Sequence, residues 1–78
     1  MDIIKKIQND QDYKNQIDRM SNKSLKLLAR DELKALEAAT KGIKQIEPNK
    51  VNSAEYAQYI ANLLQNLALI VLKERSRK

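Results

Sequence analysis

Apolar residues recur along most of this chain at spacings of three and four, the period of helices that bury one side. The first such stretch carries Ile3, Ile4 and Ile7, then Tyr13, Ile17 and Met20. It predicts helix over about residues 3–20, with Asp2 as an N-cap. The polar run Asn9-Asp10-Gln11-Asp12 is a place where that helix breaks in two or continues.

Ser21-Asn22-Lys23-Ser24 offers several N-cap residues, so a second helix is expected over about 23–41. At about 100° per residue, Leu25, Leu28, Ala29, Leu33, Leu36, Ala39 and Thr40 share one side of it. Gly42 stands where a left-handed residue closes a helix, with Ile43 placed for the accompanying apolar contact. Pro48 disfavours helix at Glu47. Residues 43–51 therefore read as a connection from which Ile46 and Val51 tuck inward.

The third expected helix, about 53–75, is the most apolar. Asn52 and Glu55 have capping-box spacing. Glu55 is the only charge between Asn52 and Leu72. Tyr56, Ile60, Leu63, Leu67 and Ile70 form a four-three seam close to a heptad, widened by Tyr59, Leu64 and Val71. Ala54, Ala57, Ala61 and Ala68 make a separate small-residue stripe suited to close helix contact. Leu69 and Leu72 lie on neither surface. The expected fold is all-α: a three-helix bundle, or four if the first helix splits, in one domain over residues 1–78. The expected core is Ile7, Tyr13, Ile17, Leu25, Leu28, Leu33, Leu36, Ile43, Ile60, Leu63, Leu64, Leu67, Ile70 and Val71.

Composition narrows the chemistry. One glycine and one proline argue against a β protein, which needs turn residues at each reversal. The chain has no cysteine, hence no disulfide or thiolate metal site, and no histidine. The serines thus lack their usual activating base. The Asn9–Asp12 run starts like a calcium loop but lacks the glycine and closing glutamate. Neither an enzyme nor a cofactor nor a small-molecule substrate is expected. The N-terminus has no charge-then-apolar leader pattern, and the longest apolar run is short of a membrane span. A cytoplasmic protein is expected, since cysteine-free chains fit that compartment.

Seventy-eight residues lie near the low end for independent stability, so self-association or a very well-packed helical core is the expected support. The net charge of +5 is uneven: residues 1–20 balance, 21–50 carry +3, and 51–78 carry +2. Two surfaces follow. Leu69, Leu72, Ala57, Ala61, Ala68 and Leu27 are candidate contacts with a protein partner or a second copy, as in a homodimer. Lys23, Lys26, Arg30, Lys34 and Lys41 form a basic stripe which, with Lys73, Arg75, Arg77 and Lys78 of the tail, is a candidate DNA- or RNA-binding surface. Glu32 falls near the middle of the apolar side of the second helix, where its carboxylate either snorkels out at the bundle edge or accepts from a donor such as a tyrosine hydroxyl or a backbone cap. The leading functional expectation is a non-enzymatic interaction protein. A small nucleic-acid-binding regulator comes next, then an immunity- or inhibitor-type bundle, by analogy of fold and charge alone.

Overall fold

A computed structural model describes residues 3–77, with side-chain surroundings from residue 8 onward. The described chain is all helical: α1 (Ile3–Asp18), α2 (Asn22–Arg30), α3 (Glu32–Ile46), a 3-10 turn over Pro48–Lys50, and α4 (Ala54–Ser76). Asp2, the Ile7 side chain and Lys78 lie outside the described positions.

α1 runs through Asn9–Asp12 without a break. The polar residues there work sideways: Gln11 donates to Asn15 at 3.0 Å, and Asn9 reaches another element. Ser21 caps α2 by accepting from the Ser24 amide.

The expected helix over 23–41 is two helices. Asp31 adopts extended backbone between them, and its own N–H closes α2 onto the Leu27 carbonyl. Its carboxylate accepts from the amides of Leu33 (3.0 Å) and Lys34 (3.4 Å), opening α3. One aspartate thus satisfies orphan groups of both helices. The break resets the helical phase, so the inward side of α3 is Ala35, Ala39, Gly42 and Ile43. Leu33, expected in the core, is 72% exposed, and Leu36 is half-buried.

α3 also continues four residues beyond Gly42, which is helical with no positive φ. The glycine serves close approach instead of termination: a Cβ there would stand 3.1 Å from Tyr13 Cε1 and 3.2 Å from Gln16 Oε1. α1 passes over α3 at this point. The α4 cap also differs from expectation, since Ser53, not Asn52, accepts from the Tyr56 amide.

α4 touches each of the other three helices. The molecule is a slab of 37 × 27 × 16 Å, thin enough for two helix layers at the usual 8–10 Å spacing. One side of α4 therefore lies on the bundle and the other faces solvent. The inward side consists of Ile60, Ala61, Leu64, Ala68 and Val71, meeting Ala35, Ala39 and Ile43 of α3 and Leu25 and Leu28 of α2 in a single core with Tyr13 and Ile17.

Of the expected core residues, Tyr13, Ile17, Leu25, Leu28, Ile43, Ile60, Leu64 and Val71 are buried. Leu63 and Leu67 sit half-buried at its margin, as do Ile46 and Val51. Ile70 is an exception at 49% exposed. The inward side of α4 is rotated away from the large-residue seam toward the alanines, because alanine lets helix axes approach closely and large residues then fill the flanks.

Candidate interaction surface

The polar centre of the bundle lies where the α3–α4 connection meets α1. Glu47, held non-helical ahead of Pro48, is the one buried charged side chain among the described residues. Its Oε2 accepts from the hydroxyls of Tyr13 (3.1 Å) and Tyr56. Its Oε1 accepts from Asn9 Nδ2 at 3.0 Å and faces Lys50 Nζ at 3.5 Å. Lys50 also lies 4.7 Å from the centroid of the Tyr56 ring, a cation–π arrangement.

Burial pushes the Glu47 carboxyl upward, but the hydroxyls of Tyr56 and Tyr13 and the Lys50 ammonium outweigh it and hold it below the ordinary glutamate range. Burial, then the adjacent carboxylate charge, raises the Tyr13 hydroxyl above its ordinary value. Burial, then the hydrogen bond to Glu47, does the same for Tyr56. The cluster therefore keeps one anion and two neutral donors. Both carboxylate oxygens are occupied, and no buried side-chain polar atom among the described residues lacks a partner. This is a fastening of α1, the connection and α4.

Of the two expectations for Glu32, the structure agrees with a carboxylate reaching solvent, since Glu32 is exposed in the first turn of α3, and not with one receiving a tyrosine hydroxyl. Glu47 has that role. The available signal was the pair Tyr13 and Tyr56: tyrosines at apolar positions bring hydroxyls that need an acceptor inside.

The candidate interface residues divide. Ala61 and Ala68 are buried within the chain's own core, and Ala57 is half-buried against it, so these three are not free surface. Leu72 is likewise half-buried on the core. Leu69 is 55% exposed, and Leu27 is exposed on α2. To Leu69 the structure adds Tyr59 and Ile70 of α4, both about half exposed. From Tyr56 to Leu72 no residue is charged, and the outward positions between these limits are Gln58, Tyr59, Asn62, Asn66, Leu69 and Ile70. Every other helix with described side chains carries exposed charge: Asp18 on α1, Lys23, Lys26 and Arg30 on α2, and Lys34, Glu37, Lys41 and Lys44 on α3.

The basic stripe is divided by the break at Asp31. Lys23, Lys26 and Arg30 remain exposed together on α2, while Lys34 and Lys41 belong to α3, with Lys34 3.8 Å from Glu37. In the tail, Lys73 and Arg77 are exposed. Arg75 is engaged inside the chain: its guanidinium donates to the carbonyls of Met20 and Asp18, both at 2.9 Å, and to Asn22 Oδ1 at 2.7 Å. It caps the C-terminal end of α1, where carbonyls lack helical partners.

No helix among the described residues is long and apolar enough to cross a membrane. No family model, no curated protein and no solved structure matches the chain.

Proposed function

We propose that this chain is a non-enzymatic helical binding protein that acts through protein–protein contact on the outward side of α4. The observation that carries this reading is the exposed, charge-free face between Tyr56 and Leu72, bearing Tyr59, Leu69 and Ile70 in an otherwise strongly charged chain. Depletion of charge with aromatic and aliphatic anchors is the composition of an interface centre. A solvated helix face normally carries lysine and glutamate, as α3 does.

Leu69→Lys tests the reading, because the side chain is outward and its replacement leaves the core intact. Wild type and variant are compared for self-association by sedimentation and for partner capture from the native host. Association or capture that depends on Leu69 is expected. Indifference of both to the substitution removes α4 as the binding surface.

A second reading rests on α2, which exposes Lys23, Lys26 and Arg30 and contains no acidic residue. Such a row fits phosphates, and binding to DNA or RNA would weaken steeply with salt. Replacing the three together by glutamine abolishes any mobility shift on this reading. Absence of a shift at low salt eliminates it.

A further inference from the structure

The order of residues along the outward side of α4 selects a partner, and this inference rests on the reading of that side as a binding surface. Glu55, Tyr59, Asn62, Asn66, Leu69 and Lys73 are all exposed. At about 100° per residue they fall within an arc of about 80°, so they form one line along the helix. Taken from its two ends, the line is complementary to itself: an anion at one end and a cation at the other, then tyrosine and leucine, then two asparagines at the centre.

We propose that the chain forms a homodimer in which two α4 helices cross antiparallel through this line, on a two-fold axis at the level of Leu64. Glu55 then faces the partner's Lys73, Tyr59 packs on the partner's Leu69, and Asn62 faces the partner's Asn66. The central amides both donate and accept, so each asparagine pair is satisfied without a charge. Each contact occurs twice, as an isologous interface requires.

Electrostatics favours this arrangement over its rivals. Two chains of net charge +5 repel, and pairing through α2 would oppose lysines to lysines. A parallel α4 pair would set Glu55 against Glu55 and Lys73 against Lys73. Only the antiparallel register joins opposite charges at both ends. The two residues cannot satisfy one another within a chain, since eighteen helical steps separate them by about 27 Å. Neither forms an ion pair elsewhere among the described residues.

Charge reversal tests the register. Wild type is expected to dimerise reversibly between micromolar and millimolar concentration, read by sedimentation equilibrium. Glu55→Lys alone and Lys73→Glu alone each introduce two like-charge contacts per dimer and raise the dissociation constant about tenfold or more. An equimolar mixture of the two variants recovers the wild-type constant, because the mixed dimer has opposite charges at both ends. Circular dichroism establishes that each variant is folded. Where Glu55→Lys loses helix by placing a cation in the first turn of α4, Glu55→Gln replaces it, and its equimolar mixture with Lys73→Gln recovers part of the affinity, because the mixed dimer keeps one Glu55–Lys73 pair. A strict monomer at millimolar concentration, a dimer indifferent to either reversal, or weakened variants that fail to recover on mixing overturns the proposal. A monomer that still captures another protein through Leu69 overturns self-pairing alone. Loss of every Leu69-dependent association removes the binding surface as well.

Discussion

α1 is fastened to α4 twice by a charged side chain, at mid-helix and at its C-terminal end, in different surroundings. At mid-helix, Tyr13 and Asn9 converge on Glu47, which Tyr56 of α4 also reaches, in a cluster built around the buried carboxylate. At its finish, Arg75 of α4 spreads over the carbonyls of Asp18 and Met20 at the edge of the fold. The same topological task is done once around a buried carboxylate with buried and half-buried donors and once at an exposed edge. A buried polar group that loses its partner has no water to replace it, whereas an edge carbonyl is rehydrated. The first fastening should therefore be all-or-none and the second gradual.

The largest effect is expected from Glu47→Ala, which strands the Tyr13 hydroxyl in the core and releases Tyr56 and Asn9. A loss of about 3 kcal/mol is expected in urea unfolding, as the buried Tyr13 hydroxyl and two half-buried donors lose their acceptor. For a chain this small that is a large fraction of its stability. An intact variant, losing less than about 1 kcal/mol, would reduce Glu47 to an ordinary surface residue.

Acid probes the same fastening. The folded-state pKa of Glu47 lies below the ordinary value, so its contribution is complete above the unfolded-state pKa of about 4.3 and is lost as pH falls toward the folded value. The stability gap between wild type and Glu47→Gln should thus be constant near neutrality and shrink on acidification below that pKa. A gap that widened with acid would contradict a carboxylate held ionised by its donors. The smallest effect belongs to the other fastening. Arg75→Ala should cost about 1 kcal/mol and leave the pH profile near Glu47 unchanged, since it removes only a helix-end cap with partial water access. A loss equal to that of Glu47→Ala would erase the distinction between the two fastenings.

Much of the local structure was legible in the sequence. Ser21-Asn22-Lys23-Ser24 marked a helix start because serine hydroxyls accept from amides two or three residues ahead, wherever the helix later packs. The eight large residues of the core that are buried, from Tyr13 to Val71, carry period and size together. The break at Asp31 had a local signal too: Asp31-Glu32 is a helix start with an acidic first turn, masked by an apolar spacing that runs unbroken through it. Gly42 was read as a stop because glycine often ends helices, yet α1 crosses there and needs the absent Cβ. The candidate surface was half legible: Leu69 stood out as unaccounted for, whereas Tyr59 and Ile70 looked like core.

Composition and spacing by themselves determined that the chain is helical, roughly where its helices begin, and that the last is charge-free over most of its length. Those properties come from contacts within a few residues. Tertiary structure alone decided which side of α4 faces inward, and so turned Ala61 and Ala68 into core and left Tyr59, Leu69 and Ile70 outside. It also brought Glu47 to two tyrosines, one 34 positions away and the other nine. The reason is physical: a helix with apolar residues around most of its circumference has several sides it can bury, and the distance to which its neighbours approach selects among them.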